Sequence, residues 1–369
     1  MNRVNGRPTL QSAAPILAGG PPSDLTAHAT VHEKHESFVR ELLGEVPGRV
    51  DHLVQVLPSA RIIAVRVCRL GLLTLSVTTL VAGCATHGQP PQAAYHSVPS
   101  GGLALHARVL GRGSQVIVLL HGGPGLSLQE MMPLDGLLNP SRRLVAFDER
   151  GSGATGQPAS GDWRLSAQVD DIESIRLSTH SDRIWLIGQS WGGLLAGAYV
   201  AAHPDRVAGL ALIDAAPPDV AAFDSGQQAF QRRLVQLQDQ GTVPETLPGP
   251  AKGSCLPTLT AEFPAYAADA AHPPHEPAGV TCTAGTASDT YGAVIRPEVL
   301  RPLANALANY HGPALILAGA QDAFGASWPT AWKRLLPQAT SVTIKQAGHE
   351  PVLEQPRVVL ATLGRFLSP

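Results

Sequence analysis

The chain has 369 residues, 44% of them hydrophobic and 15% charged, with a formal net charge of −2. That is a globular composition with room for one large domain or two modest ones. The near-neutral balance, with no basic stripe, internal repeat or long charge run, argues against a nucleic-acid partner.

Residues 1–60 show no fold pattern beyond a short helical stretch, "HESFVRELLGEV" (His35–Val46), and read as a disordered or mis-assigned extension. Residues 61–84, "RIIAVRVCRLGLLTLSVTTLVAGC", place Arg61, Arg66 and Arg69 before an apolar run from Leu70 to Val81, then Ala82, Gly83 and Cys84. Charged, apolar and small is the order of a secretory signal. The uncharged run is shorter than the roughly 20 residues a membrane span needs. "LVAGC" resembles the lipobox of bacterial lipoproteins, which implies a lipid on Cys84 and a mature chain that begins there. Ala85 in place of aspartate implies outer-membrane sorting. The expectation is an exported, periplasm-facing protein tethered to a membrane by its lipid. Translation is then expected to begin just before Arg61, at Val54, Val56 or Leu57. Of the four cysteines, export removes Cys68 with the signal and leaves Cys255 and Cys282 to pair in an oxidising compartment, two free thiols being the alternative. Neither Cys-x-x-Cys nor His-x-x-x-His spacing accompanies them, so no metal site is expected.

After a polar linker, residues 85–100, strands and helices alternate. "LALHARVLG" (Leu103–Gly111) reads as an edge strand. "QVIVLL" is a buried strand running into "HGGPG", and "RRLVAF" another, ending in "DERGSG". "SAQVDDIESIRLST" has helical spacing through Val169, Ile172 and Ile175. "RIWLIGQ" and "WGGLLAGAYVAAH" read as strand and helix, and "VAGLALIDA" as a further strand. Residues 216–311 lack strand signals and show one clear helix, "GQQAFQRRLVQLQDQG", with Phe230, Leu234 and Leu237 on one face. The rhythm resumes with "PALILAGAQD", a helix near "WPTAWKRLL", the strand "TSVTIKQAG" and a closing helix near "PRVVLATLGRFL". Such alternation predicts an α/β fold with a mostly parallel sheet covered on both faces. Its core is residues 101–215 and 312–369, with 216–311 as a lid over one strand-end.

The chemistry concentrates where strands end. In "GQSWGG", Ser190 stands between Gly188 and Gly192 at a strand-to-helix junction, the G-x-S-x-G arrangement that exposes a serine on a tight turn. A serine needs a base to take its proton and a third group to orient that base. Of His203, His272, His275, His311 and His349, the last lies in "QAGHEP", directly after a strand, where parallel sheets bind ligands. Asp322 in "LAGAQDAF" also follows a strand directly, and Asp214 at the end of "LALIDA" is its rival as the acid. Negative charge developing on an attacked carbonyl needs donors already in place. The N–H of Trp191 and one from "HGGPG", Gly123, are the candidates. "GSGATG" (Gly151–Gly156) fits a dinucleotide-loop spacing, but it runs into "QPASGDW", turn chemistry rather than a helix.

"HGGPG", "FDERGSG", "GQSWGG" and "AGHEP", in this order, resemble the α/β-hydrolase fold and, within it, the proline iminopeptidase group of serine aminopeptidases. The resemblance covers residues 100–369. It implies Ser190 as nucleophile, His349 as base, Asp322 as acid, an oxyanion hole from Gly123 and Trp191, and neither metal nor organic cofactor. The implied substrate is a small peptide or amide with a free N-terminal residue, with a small carboxylic ester as the alternative. A non-catalytic, membrane-tethered binding protein of the same fold is the reading from another class. Proline iminopeptidases hold the substrate's amino group with acids from the lid. The lid acids here are Asp219, Asp224, Asp239, Glu245, Glu262, Asp269 and Glu276, and none of them can be matched to that role. Oligomeric state is left open.

Overall fold

The computed structural model describes residues 92–368. The extension 1–60 with its helical stretch, the signal segment 61–84 and Cys84 lie outside the described residues. Among the described residues, no helix is long and apolar enough to cross a membrane.

Eight strands form one sheet in the order β1-β2-β4-β3-β5-β6-β7-β8. They are β1 (Ala94–Ser100), β2 (Leu103–Gly111), β3 (Gln115–Leu120), β4 (Arg142–Phe147), β5 (Ile184–Gln189), β6 (Val207–Ile213), β7 (Ala314–Gly319) and β8 (Thr340–Ile344). β1, β2 and β4 pair antiparallel, while every pair from β4 through β3 to β8 is parallel. Parallel neighbours need crossovers, and helices supply them. α1 (Leu165–Ser178), α2 (Trp191–Ala202) and α7 (Ser327–Leu335) are such helices, and α9 (Pro356–Phe366) follows the last strand. α8 (Pro351–Glu354) is a single turn before α9, and a 3-10 segment spans Leu128–Leu137.

The alternation within each strand divides the core. Val116, Val118 and Leu120 of β3 join one hydrophobic cluster with α1 and α2, while Ile117 and Leu119 join a second with Leu128–Leu137 and α9. Side chains alternate across a strand, so a strand covered on both faces must be apolar throughout.

Two boundaries differ from the sequence reading. Residues 94–100, expected as linker, form β1, so β2 lies one strand in from the edge rather than at it. Only Val98 and Ser100 of β1 are buried, which leaves no apolar alternation to read. The strand is held by its main-chain ladder and by a two-residue hairpin, Gly101–Gly102, with φ of +51° and +82°. A Gly-Gly pair between strands is the signal that marks such a turn.

The second difference lies between β6 and β7. α6 (Pro297–Leu307) buries Leu300, Leu303 and Leu307 and packs against α2, so it belongs to the core layer and not to the insertion. The remainder, 216–296, contains three helices where one was expected: α3 (Val220–Asp239), α4 (Leu256–Tyr266) and α5 (Thr286–Val294). α4 opens on a Leu-Pro step and carries Pro264, and α5 is short and mostly small residues, so neither shows a periodic apolar face. Proline is tolerated in a first helical turn, where an N–H would have no partner anyway.

Candidate active site

Ser190 joins β5 to α2 with φ +48° and ψ −116°, a conformation that side chains rarely adopt. The glycines around it are required by contact. A Cβ on Gly188 would stand 2.2 Å from the carbonyl oxygen of Gly192, and one on Gly192 would stand 2.3 Å from that of Leu120. Without side chains at these two positions the helix start passes directly over β3. The Ser190 N–H donates to Ile213 (2.9 Å), and its carbonyl accepts from Gly193 (3.1 Å) and Ala216 (2.9 Å). The main chain is locked, and the side chain remains half-buried.

His349 and Asp322 meet at the ends of β8 and β7. The His349 Nδ1–H donates to Asp322 Oδ1 at 3.0 Å, with the two side chains 3% and 4% exposed. Burial pulls the imidazole pKa down, but the charges of Asp322, Glu350 and Glu354 outweigh it and leave His349 above its ordinary value. The histidine's main chain is fixed from both sides. Its N–H donates to the carbonyl of Tyr266 in the insertion (2.8 Å). Glu354 accepts from Gly348 and from Ala268, each at 2.6 Å. Gln189, just before Ser190, donates to the His349 carbonyl (3.3 Å) and to Glu350 (2.7 Å), so one side chain ties the serine turn to the histidine loop. Phe324, Tyr266 and Trp328 wall the imidazole at centroid distances of 4.5, 5.7 and 5.8 Å.

Both candidate acids are present, in different roles. Asp214 ends β6 with φ +42°, and its Oδ1 accepts from Gly319 at 2.9 Å. One atom each of Asp214, Asp322 and His349 lie within 4.8 Å of one another. Burial, and then the charge of Asp322, push the Asp214 carboxyl well above its usual range, while Asp322 faces the histidine. Oδ2 of each aspartate is buried without a hydrogen-bond partner among the described residues. The three groups are close enough to meet one small cation. However, Nδ1 of His349 and Oδ1 of Asp214 are already committed to Asp322 and Gly319.

The loop after β3 leaves one amide unused. Within Gly122–Gly125, the Gly122 N–H donates to Glu130 (2.8 Å), Pro124 has no N–H, and the Gly125 N–H donates to Ser152 (3.1 Å). The Gly123 N–H has no acceptor among the described residues. Trp191, as the first residue of α2, also has an N–H without an intrahelical acceptor. The two amides lie on adjacent strand ends, since β3 pairs with β5.

Sequence reasoning missed the buried acids. Burial, and then repulsion from Glu350 and Glu276, raise Glu130 well above the ordinary carboxylate range. Burial and Glu350 raise Glu276 to about 8. Burial raises Glu350 to about 7, against the lowering effect of His349 and Gln189. Glu149 is raised by burial and accepts the Trp191 indole N–H at 2.8 Å. Glu149 and Glu350 sit inside motif loops and were readable as unpaired charges there. Glu276 stood among the lid acids without an assigned role, and Glu130 carried no signal.

Cys255 and Cys282 are joined in a disulfide, Cα atoms 5.1 Å apart. The strand-like strap beside it is bonded to the motif loops. Thr283 donates to the Gly125 carbonyl (2.8 Å), Thr281 to Ser127 Oγ (2.9 Å), and the Thr286 hydroxyl to the Gly151 carbonyl (2.8 Å). Gly151–Gly156 closes as a turn, Gly151 N–H to Gly156 carbonyl at 2.8 Å, and opens no helix. Asp148 braces that turn by accepting from Leu128 and Ala154, each at 2.8 Å.

A family model described as the alpha/beta hydrolase fold matches residues 115–245. The proline iminopeptidase of Heyndrickxia coagulans is 25% identical over 267 residues, covering 69% of this chain and 91% of that protein. A shorter match, to the proline iminopeptidase of Lactobacillus acidophilus, is 34% identical over 121 residues, where the chain spans 41% of the relative's length. Among solved structures, proline iminopeptidase from Mycobacterium smegmatis superposes with a TM-score of 0.52 at 20% identity, over 74% of this chain and 97% of that one. A thermophilic esterase from Thermogutta terrifontis gives 0.52 at 24% identity, over 75% and 98%. At those identities the likeness to the solved structures is one of fold.

Proposed function

We propose, for a chain that is an α/β hydrolase of the proline iminopeptidase-like group, that Ser190 is the nucleophile of a serine aminopeptidase. His349 takes the Ser190 proton as the hydroxyl attacks the substrate carbonyl, and Asp322 holds the imidazolium that results. The N–H groups of Gly123 and Trp191 receive the oxyanion. His349 then returns the proton to the leaving amine, and water resolves the acyl-enzyme by the same steps in reverse order. The observation that carries the hydrolytic reading is the buried His349–Asp322 hydrogen bond at 3.0 Å, on strand ends beside a serine held at φ +48°.

The substrate reading rests on the buried acids. Burial first, and then the charge of Glu350, raise Glu130 and Glu276, while burial raises Glu350 itself, and a free ammonium group among these carboxyls would relieve that cost. This favours a substrate with a free N-terminal residue, and makes segment 216–296 a lid that carries part of the amine site. Cleavage of small acyl esters is the second reading, because nothing in the serine–histidine–aspartate chemistry distinguishes an ester from an amide. The test offers the protein proline and alanine arylamides beside short acyl esters, with Ser190→Ala as control. Arylamide turnover lost in the control supports the aminopeptidase, and ester turnover alone overturns it in favour of an esterase. No turnover, with no labelling of Ser190 by a serine-reactive phosphonate, would leave a non-catalytic binding protein.

Export and lipid attachment at Cys84 belong to the same proposal. The Cys255–Cys282 disulfide supports an oxidising compartment. Metabolic labelling with a clickable fatty acid should mark the wild-type chain and not Cys84→Ala, and equal labelling of both would refute attachment there.

A further inference from the structure

Main-chain donors cannot be tuned by changing their own side chains, so their alignment has to come from groups around them. At this site the two uncommitted amides, on Gly123 and Trp191, belong to separate segments of chain. A run of hydrogen bonds connects them. The Trp191 indole Nε1–H donates to Glu149 Oε2 at 2.8 Å. The main-chain N–H of Glu149 donates to His121 Nε2 at 3.3 Å. His121 Nδ1 lies 2.9 Å from the Gly122 carbonyl oxygen. An amide N–H can only donate and a carbonyl can only accept, so the imidazole carries its proton on Nδ1 and donates to Gly122.

That last contact fixes the neighbouring donor. The carbonyl of Gly122 and the N–H of Gly123 belong to one peptide plane and point in opposite directions across it. Holding the carbonyl on His121 therefore aims the Gly123 N–H away from His121. Glu130 holds the preceding plane by accepting the Gly122 N–H at 2.8 Å. At the other end, the Trp191 ring is fully buried and anchored by Glu149, which fixes the first residue of α2 against the strained Ser190 turn. Neither His121 nor Glu149 is needed to close a strand or a helix. Both are buried polar groups whose bonds run to the residues bearing the two free amides.

We infer that His121 and Glu149 are positioning residues that join the two halves of the oxyanion hole into one brace, with Glu130 clamping the loop from behind. The inference rests on Ser190 being the nucleophile. Because the brace acts on donors engaged only when the carbonyl oxygen becomes charged, its loss should appear in kcat and spare ground-state binding.

The experiment compares wild type, Glu149→Ala, Glu149→Gln, Trp191→Phe and the Glu149→Ala/Trp191→Phe double variant on whichever arylamide or ester the wild type turns over. Glu149→Ala is expected to lower kcat by roughly 10- to 100-fold, less than outright loss of a donor, with KM unchanged within about twofold. Affinity for a boronic acid that forms a tetrahedral adduct on Ser190 should fall by the same factor as kcat. Affinity for the carboxylic acid product should not fall. Glu149→Gln, whose carbonyl can still accept the indole N–H, should recover most of the rate. Trp191→Phe keeps an aromatic ring of smaller size and removes the N–H, so its loss in kcat should be at least that of Glu149→Ala, and the double variant should be no slower than Trp191→Phe.

Wild-type kcat in Glu149→Ala, an equal loss in product binding, or full additivity in the double variant would each overturn the brace. If Glu149→Ala does not fold, Trp191→Phe alone must show the joint loss in kcat and boronate affinity, and its failure to do so also overturns the inference. Failure of the nucleophile assignment is read separately, on wild type and Ser190→Ala: turnover that survives in Ser190→Ala removes the premise without reference to Glu149.

Discussion

The strand-end loops of the core and the insertion between β6 and β7 both reach the candidate site, but they are attached to it by different parts of the chain. The core contributes side chains: Ser190, Asp322, His349, Gln189 and Asp214 each act through a functional group on a rigid strand end. The insertion is tied to it largely through main chain. Thr281 and Thr283 bond through their N–H groups to Ser127 and Gly125, Tyr266 through its carbonyl to His349, and Ala268 through its N–H to Glu354. A site built on strand ends tolerates change elsewhere but not at those positions. A segment held by main-chain bonds tolerates substitution and depends on its conformation being kept.

The sharpest way to break this comparison is within the core itself, between its two aspartates. Asp322→Asn should lower kcat by roughly 10⁴-fold, because the amide can present its N–H to His349 and favour the wrong tautomer. Asp214→Asn should stay within about tenfold of wild type, since an amide can still accept from Gly319 and leaves the Asp322–His349 bond in place. Steady-state kinetics on both variants decides the matter, and the reverse ranking would make Asp214 the acid.

Glycines extend the contrast to stability. Gly192→Ala puts a Cβ 2.3 Å from the Leu120 carbonyl oxygen, main chain that cannot move without displacing β3. A loss of about 4 kcal/mol or more, or failure to fold, is expected in denaturant titration. Gly285 in the insertion has φ +87° but nothing within 4 Å of an added Cβ. Gly285→Ala should therefore cost only the backbone strain, on the order of 1 kcal/mol.

The same contrast explains what could be read in advance. Strand ends were legible because their residues are constrained twice, by burial along the strand and by chemistry at its end. Gly188, Ser190, Gly192, Asp322 and His349 each leave an identity in the sequence for that reason. The insertion's bonds to Gly125, Ser127 and His349 run through groups every residue has, so those bonds required no identity of Thr281 or Thr283. Its helices α4 and α5 hid behind proline and small residues. β1 hid because it is held by backbone pairing and a Gly-Gly turn rather than by an apolar face. Glu130, and the role of Glu276, escaped for a different reason. A buried carboxylate is recognisable only by its neighbours, and these two come from distant parts of the chain.

The insertion should also be separable from the core by reduction. A disulfide closing 27 residues stabilises by about 3–4 kcal/mol on the chain-entropy view. Cys255→Ser with Cys282→Ser should lower the unfolding midpoint accordingly and open residues 240–285 to limited proteolysis. Because Thr283 and Thr281 lie beside Cys282 and bond to the loop bearing Gly123, kcat should fall as well, by about tenfold or less. Unchanged proteolysis in the double variant would mean that the hydrogen bonds alone hold the strap.

The smallest effect is the most informative about the substrate, because only the amine reading predicts it. Glu276 and Glu350 hold their protons up to about 8 and about 7, each through burial first. An ammonium group binds the ionised carboxylates and not the neutral acids. Its affinity should therefore rise as pH increases through 7 to 8, seen as a falling KM for an arylamide with a free amine and a flat KM for an acyl ester. On kcat, activity should be lost toward acid with a midpoint above the ordinary histidine value of 6.5, because Asp322, Glu350 and Glu354 outweigh burial at His349. Stability without substrate should run the opposite way from amine affinity. Carboxyls whose folded pKa is raised contribute stability fully below their unfolded value, near 4.5, and lose it as pH rises through about 7 and about 8. The unliganded melting temperature should then decline from about pH 4.5 to about pH 8 and level off above it, and a bound amine should recover part of that decline. Glu276→Gln separates the lid's share from the core's. It should remove the more alkaline part of both effects and leave the part due to Glu350, whereas a KM profile that does not respond to Glu276→Gln would take the insertion out of substrate recognition altogether.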